Sequence, residues 1–233
     1  MFRSIVEPWT HFTHRAAKSG VFGVLLFAAL VFVPAGTIYY WQGWAFLAVF
    51  ASSTTAFTVY LALYDRPLLE RRIKAGPWHE KEWSQKIIVS LVFLGFFSLI
   101  IASALDVRFG WSAVPAYVSL IGEALIVLSF LFIFWVIRVN SFAASTIQVA
   151  EGQKVISTGP YAYVRHPMYA AALLLLIGMP LSLGSSWALL LIVPLTPVLV
   201  WRILDEERFL RRNLPGCAEY AGTVRYRLIA YVW

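Results

Sequence analysis

The sequence is poor in the residues on which soluble domains and metal sites usually depend. It has one cysteine, Cys217, so a disulfide within the chain is excluded. Charged residues make up 13% of the sequence, against roughly 25% in typical soluble domains, which excludes an ordinary soluble domain. His11, His14 and His79 lie scattered in polar segments, without the cysteine or carboxylate spacing of a zinc site. We therefore expect no bound metal.

Apolar residues are abundant instead. They account for 60% of the chain, and the mean hydropathy is +0.73. The net charge of +7 would suit a nucleic-acid-binding protein, but the cations lie in short clusters between apolar runs, as they do in cytoplasmic loops. The composition predicts an integral membrane protein that contacts membrane lipids and no nucleic acid.

The long apolar runs predict about six transmembrane helices. The first four are expected at residues 20–36, 41–63, 87–105 and 112–137, each run long enough for much or all of a bilayer core of ~30 Å. The last run, residues 167–203, is interrupted by prolines and by Gly184-Ser185-Ser186, which predicts a tight hairpin of two helices. Lysine and arginine concentrate in alternate segments between the runs, so both termini are expected in the cytoplasm.

The predicted fold is thus an all-α, polytopic membrane helix bundle with two regions. Residues 1–137 carry the first four helices, and residues 138–233 carry a polar connector, the helix hairpin and a basic, aromatic tail. Such a multi-pass protein is expected in a membrane such as the bacterial inner membrane.

Two polar segments leave alternatives open. Residues 64–86 form the most charged loop, which is either a solvated loop that enforces topology or includes a short amphipathic interfacial helix from Pro67 to Lys74. Residues 138–166 are too long for a simple turn, and connections of that length are usually functional or disordered. Within them, alternation from Gln148 to Ile156 indicates a small β-hairpin.

The densest set of chemically active side chains lies between Gly159 and Tyr169. Prolines disfavour the helical region at the residue before them, and proline is well tolerated at the first position of a helix, so a helix is expected to begin at Pro167. The free N–H groups at that helix start, with Arg165 and His166 beside them, would suit a carboxylate or a phosphate.

A second charged set follows the last apolar run. Arg202 and Glu206 are four residues apart, so they share a helix face and can pair. Charge patterning places this set and the Gly159–Tyr169 stretch on the same side of the membrane. Adjacent carboxylates such as Glu206 and Glu207 could bind ribose hydroxyls or an ammonium; alternatively, the helix simply becomes charged where it leaves the bilayer.

In order, these motifs are Gly159-Pro160-Tyr161, Arg165-His166-Pro167-x-Tyr169, Arg202-x-x-x-Glu206-Glu207 and the basic, aromatic ending. Together they resemble the isoprenylcysteine carboxyl methyltransferase-like family of integral membrane methyltransferases, whose pattern phospholipid N-methyltransferases share. The resemblance covers residues from about Arg138 onward.

The resemblance implies S-adenosylmethionine as cofactor, held in a cytosol-facing pocket of the C-terminal region. By the same resemblance, Arg202 and Glu206 are the expected catalytic residues. The expected cofactor-binding residues are Gly159, Tyr163, Arg165, His166, Pro167, Tyr169, Glu206 and Glu207. The methyl acceptor would be lipophilic: a carboxylate, a thiol or an amine lipid. The alternatives are a sterol-type membrane reductase that uses NADPH and a membrane scaffold without enzymatic activity.

Three further polar residues are candidates for the site. Glu123 lies near the middle of the fourth apolar run, where an unpaired ionised carboxylate costs roughly 2.5–3.5 kcal/mol, so it either lines a substrate pocket or makes a structural hydrogen bond. Asn140 and Gln148 in the connector could contact the cofactor or cap local turns.

Overall fold

The computed structural model describes residues 20, 22–73, 76–80, 82–143 and 146–233. Within these residues all regular secondary structure is helical, and no β-strand occurs. Eight α-helices follow one another: α1 (Phe22–Ala35), α2 (Trp41–Tyr64), α3 (Arg66–Ile73), α4 (Trp83–Phe109), α5 (Ala116–Val139), α6 (Pro167–Ser182), α7 (Ile192–Asn213) and α8 (Cys217–Thr223). Short 3₁₀ turns occupy Pro77–His79, Gly159–Ala162 and Trp187–Leu191.

Four of the described helices are long and apolar enough to cross a membrane: α2, α4, α5 and the segment Trp187–Asn213, which joins the last 3₁₀ turn to α7. The other two predicted spans correspond to α1 and α6, which are apolar but shorter, α6 having 16 residues. The structure thus confirms an all-helical, multi-pass architecture. Six spans with both termini in the cytoplasm remain a prediction.

Local sequence explains where several helices begin and end. Pro167 is the first residue of α6, as predicted from the fixed φ and missing N–H of proline. Helix α4 stops at Gly110, whose φ of 64° and ψ of 35° are left-handed, a conformation that glycine adopts without steric cost.

Helices α5 and α6 approach each other closely because both carry glycine at the contact. A Cβ added to Gly122 would lie 2.2 Å from the backbone N of Ser182, and one added to Gly178 would lie 3.0 Å from the carbonyl oxygen of Gly122. Further along the contact, the Ser129 hydroxyl donates to the Ala171 carbonyl at 2.7 Å. Small residues allow this kind of close helix packing in membranes.

The predicted tight hairpin of α6 and α7 is not confirmed. The two helices are consecutive, but α6 packs mainly against α5 and α7 mainly against α4. Gly95 on α4 faces Leu195 on α7, and a Cβ there would meet the leucine side chain. This arrangement leaves space between α6 and α7.

A buried carboxylate joins two connections at one end of the bundle. Asp106 is fully buried in the last turn of α4; its Oδ1 accepts from the Ser112 N–H at 2.7 Å, and its Oδ2 accepts from the hydroxyls of Ser112 at 2.6 Å and Ser185 at 2.5 Å. The Ser186 N–H donates to the Ser112 hydroxyl at 3.1 Å. We call Asp106, Ser112, Ser185 and Ser186 the serine clasp, because they hold the α4–α5 connection to the segment that follows α6.

At the opposite end, the short helix predicted at about Pro67–Lys74 is confirmed as α3, although Lys74 lies outside the described residues. Its position at the membrane interface stays a prediction. The alternative of a purely solvated loop is wrong. Leu68 and Leu69 are buried, and the guanidinium groups of Arg71 and Arg72 donate to the carbonyls of Ser141 at 2.7 Å and Ala143 at 3.0 Å. Helix α3 thereby holds the start of the connector in place.

The small β-hairpin predicted at Gln148–Ile156 is wrong. The described part of the connector contains a turn, with the Gln153 N–H donating to the Ala150 carbonyl at 3.1 Å, and no strand on either side of it. The Gln153 side chain closes the same turn by accepting from the Ala150 N–H at 2.9 Å.

Candidate functional site

The Gly159–Tyr169 stretch pairs through its backbone with the C-terminal tail. The Arg165 N–H donates to the Tyr226 carbonyl at 2.9 Å, and the His166 N–H donates to the Arg227 carbonyl at 2.8 Å. Gly159 has a φ of +58°, and a Cβ there would lie 2.9 Å from Val139 Cγ2, so this turn needs glycine. The tail thus fixes the backbone just before α6.

Tyr161 anchors the same turn from two sides. Its carbonyl accepts from the Tyr220 hydroxyl at 2.7 Å, and its hydroxyl accepts from Asn140 Nδ2 at 2.9 Å. Burial raises the pKa of Tyr161 to about 12, so the phenol is neutral at physiological pH. Asn140 also accepts from the Phe142 N–H at 3.0 Å, which confirms the predicted turn-capping role for Asn140.

Glu207 is a buried carboxylate surrounded by three arginines and a histidine. Its Oε1 lies 2.9 Å from Arg165 Nη1 and 3.2 Å from His166 Nε2, and its Oε2 lies 3.3 Å from Arg227 Nε and 3.8 Å from Arg211 Nη2. Burial lowers the pKa of Arg165, although the Glu207 carboxylate opposes that effect. We call Glu207 with these four partners the Glu207 cluster; it joins the two motifs that the charge pattern places on one side.

Tyr169 joins Arg202 to Glu206. Its hydroxyl accepts from Arg202 Nε at 3.2 Å and donates to Glu206 Oε2 at 2.5 Å. The predicted direct pairing of Arg202 with Glu206 is thus replaced by a bridge through a tyrosine on α6. The ion pair that the structure gives Arg202 is with Glu80, at 2.9 Å between Nη2 and Oε1.

The segment before α4 also contributes to the site, which no motif in the sequence predicts. Gln85 accepts from Arg202 Nη1 and donates to Asp205 Oδ2, and the Ser84 hydroxyl donates to the same Asp205 oxygen at 3.1 Å. Glu80 and Gln85 are both buried. We call Glu80, Gln85, Tyr169, Arg202 and Glu206 the Arg202 cluster. No spacing in the sequence relates residues 80 and 85 to residue 202, so only the folded structure reveals this contact.

A cavity of about 430 Å³ connects these residues to the space between the helices. Its polar part is lined by the site motifs and the connector: Arg72, Asn140, Thr146, Gln148, Gln153, Lys154, Arg165, His166, Tyr169, Arg202 and Glu206. Its apolar part is lined by side chains of α4, α6 and α7: Val89, Val92, Phe93, Phe96, Ala172, Leu175, Leu176, Leu195 and Leu199. One continuous space therefore presents charges at one side and hydrocarbon at the other.

The predicted site residues take three different positions. Arg165, His166, Pro167, Tyr169, Arg202 and Glu206 all line the cavity. Glu207 and Gly159 are not among the described lining residues: Glu207 holds Arg165 and His166 from behind, and Gly159 shapes the turn. Tyr163 is 68% exposed and is also outside the lining, so its predicted contact with a cofactor has no structural support.

Cys217 is a lining residue that the sequence analysis left unassigned. Burial raises the pKa of its thiol, so the group is a neutral wall of the cavity rather than a reactive thiolate. It stands with Val155, Leu214 and Tyr220 on the side next to α8.

Glu123 fulfils neither of its two predicted roles. It is 7% exposed on α5, it is not among the described residues that line the cavity, and neither carboxylate oxygen has a hydrogen-bond partner among the described residues. Gln148, in contrast, lies exposed at the rim of the cavity.

The histidines give no metal centre within the part of the chain that the structure describes. No group of three or more His, Cys, Asp or Glu side chains is close enough there to hold a metal ion. His11 and His14 lie outside the described residues. The expectation that the protein binds no metal therefore stays a prediction.

Comparison with known proteins gives a family match for part of the chain. Residues 117–215, which contain nearly all of α5, then α6, α7 and the site motifs between them, match the family model for phospholipid methyltransferases. The resemblance to membrane methyltransferases inferred from the sequence is thereby confirmed for these residues.

The chain also resembles part of a reductase. Over 91 residues the chain is 33% identical to the Delta(14)-sterol reductase TM7SF2 of Mus musculus, a match that covers 38% of this chain and 22% of the reductase. The chain thus aligns with about a fifth of that curated relative. Glu80 and Gln85 precede residues 117–215 and Arg227 follows them, so the site extends beyond the family match on both sides.

Proposed function

We propose that the protein is an integral membrane methyltransferase that uses S-adenosylmethionine and acts on a lipophilic acceptor. The observation that carries this proposal is the continuity of the cavity, in which the charged residues of both motifs border an apolar space between helices. The match to the phospholipid methyltransferase family supports the reaction class. The apolar helices support a substrate drawn from the bilayer.

The lining suits a cofactor that carries a carboxylate, an ammonium and a sulfonium. Arg165 and the Met168 N–H at the start of α6 can bind the carboxylate, as helix N-termini bind anions. Glu206 offers carboxylate oxygens to the cationic groups. The cavity volume also lies within the range of roughly 300–1,000 Å³ typical of small-molecule sites.

Bound there, the cofactor would supply a methyl group on a positively charged sulfur. The residues of this chain would contribute position and electrostatics, because methyl transfer requires donor, methyl and acceptor in line. Tyr169, fixed between Arg202 and Glu206, sets the geometry where the polar part meets the apolar part. Leucine and phenylalanine side chains exclude water from that point, which strengthens the fixed charges beside it.

We propose that the acceptor's hydrocarbon tail lies between α4, α6 and α7. Each of these helices lines the apolar part, and α6 and α7 leave this space by packing on different helices. Val92 and Phe93 are also 42% and 37% exposed, so the space borders the surface that faces lipid. A carboxylate, a thiol or an amine at the end of the tail would then reach the Arg202 cluster.

The proposed topology has six spans, α1 and α6 included, with both termini and the cavity on the cytoplasmic side. Reporter fusions after Lys74 and after Asp106 test it, the first expected inside and the second outside. Both fusions on the same side would overturn this topology.

The sequence match to a sterol reductase gives a second candidate, reduction with NADPH. Titration calorimetry of the purified protein in detergent separates the two. Saturable binding of S-adenosylmethionine without binding of NADPH is expected. Binding of NADPH alone would favour the reductase, and binding of neither would contradict both functions.

A further inference from the structure

Glu80 is a buried acid in a segment that is otherwise turned outward. It is 5% exposed, whereas Trp78 and Trp83 on either side of it are 75% and 77% exposed. Its carboxylate reaches Arg202 Nη2 at 2.9 Å. Glu80 belongs to the segment between α3 and α4, outside the residues that match the methyltransferase family.

This contact changes what Arg202 does to Glu206. The two residues are one helical turn apart on α7, a spacing that favours a direct ion pair, and such a pair would neutralise Glu206. Instead, Glu80 and Gln85 engage two of the guanidinium nitrogens, and the Tyr169 hydroxyl stands between the third and Glu206. Two carboxylates, Glu80 and Glu206, therefore act on one guanidinium, so the formal charges of the Arg202 cluster leave one net negative charge beside the cavity.

We infer that Glu80 is a positioning residue that keeps one net negative charge at the Arg202 cluster and thereby makes the cavity prefer the cationic cofactor to its neutral product. This inference rests on the proposed function. S-adenosylmethionine and S-adenosylhomocysteine differ only in a methyl group and the positive charge on sulfur. Their ratio of dissociation constants therefore reports the electrostatic effect, because a mere loosening of the fold would weaken both alike.

The test is Glu80→Gln, which keeps the shape of the side chain and removes its charge. The cluster then loses its net negative charge, which should weaken S-adenosylmethionine binding about five- to tenfold, as expected for the loss of one unit charge from a partly shielded site. Binding of S-adenosylhomocysteine should change less than about twofold, since its sulfur is neutral. Both dissociation constants are measured by calorimetry in detergent, with thermal unfolding as a check on folding.

Glu82→Gln is the matched control, because Glu82 lies two residues away, is exposed, and has no ion pair with a described residue. It removes the same charge and should leave the ratio unchanged. An unchanged ratio in Glu80→Gln, or equal weakening of both ligands, would overturn the inference while leaving the proposed function intact. A wild-type protein that binds neither ligand would overturn the proposed function itself.

Removing one partner of a buried ion pair can prevent folding. The double variant Glu80→Gln/Arg202→Gln removes both charges of the pair, so neither partner is left as a buried, uncompensated charge. It tests the role of Glu80 if the single variant does not fold. Its preference for S-adenosylmethionine over S-adenosylhomocysteine should stay within about twofold of wild type, because the net charge is unchanged. A fall of fivefold or more in that preference would contradict the role of Glu80.

Discussion

Two buried carboxylates hold the two ends of the bundle together by different chemistry. Asp106 in the serine clasp accepts hydrogen bonds from hydroxyls and a backbone N–H, all of them neutral donors. Glu207 in its cluster is surrounded by arginines and a histidine. The donors around Asp106 are neutral and donate to that carboxylate, so they offer no charge to a ligand. In the Glu207 cluster, by contrast, Arg165 and His166 also line the cavity. The comparison therefore separates a structural carboxylate from one that supports a binding site.

The largest expected effect concerns turnover at the Glu207 end. Arg202→Ala should lower methyl transfer ~10²-fold or more, the size expected when a strong contact in the transition state is lost, while cofactor binding changes only a few-fold. Arg202→Lys should rescue little, because an ammonium cannot reproduce the contacts of a planar guanidinium with Glu80, Gln85 and Tyr169. Calorimetry and transfer of labelled methyl to the active acceptor are measured together. Equal loss in both measurements would make Arg202 a purely structural residue.

A smaller loss is expected for cofactor affinity at the Glu207 cluster. Glu207→Ala and His166→Ala should each weaken S-adenosylmethionine binding about tenfold, since each removes a charge-assisted contact that orients the start of α6. The protein should remain folded in detergent, as judged by size-exclusion chromatography. Wild-type affinity in both variants would show that these residues do not take part in cofactor binding, and that the Glu207 cluster, like the serine clasp, only stabilises the fold.

The serine clasp should show the opposite pattern. Asp106→Asn replaces a carboxylate oxygen that accepts two hydroxyl hydrogen bonds, so it should cost roughly 1–3 kcal/mol of stability. The midpoint of thermal unfolding should fall, while the affinity for S-adenosylmethionine stays within about twofold of wild type. A large loss of affinity without loss of stability would mean that the clasp end also takes part in binding.

The smallest effect is expected at Tyr163, next to the Glu207 cluster in sequence but exposed to solvent. Tyr163→Ala should change cofactor affinity by less than about twofold, as surface substitutions usually do. A tenfold loss in the same calorimetric assay would restore the cofactor contact predicted from the resemblance.

Much of the fold follows from local chemistry. Apolar runs predict the long helices, Pro167 predicts the start of α6, and alternating clusters of lysine and arginine predict that the two motifs share a side. The meeting of Arg165 and His166 with Glu207 could therefore be anticipated from order and charge alone.

The parts that sequence reasoning missed depend on contacts between distant segments. Glu80 and Arg202 are separated by more than half of the chain, and no local pattern distinguishes Glu80 from the other acids of its loop. The packing of α6 on α5 depends on Gly122 and Gly178 meeting at one point, which no single helix reveals. The same lack of tertiary context made residues 148–156 resemble a hairpin.

The contact between Glu80 and Arg202 also bears on modularity. A chimera that received residues 117–215 alone would bring Arg202, Tyr169 and Glu206 but would lack Glu80, Gln85 and the tail that holds His166. The host protein would have to supply an acid and an amide that contact Arg202, and a segment that accepts the backbone hydrogen bond of His166. The segment that can be transferred with its site intact is therefore residues 117–215 together with the segment before α4 and the C-terminal tail. Sequence changes in these two flanking segments could alter the chemistry of the site without any change within residues 117–215.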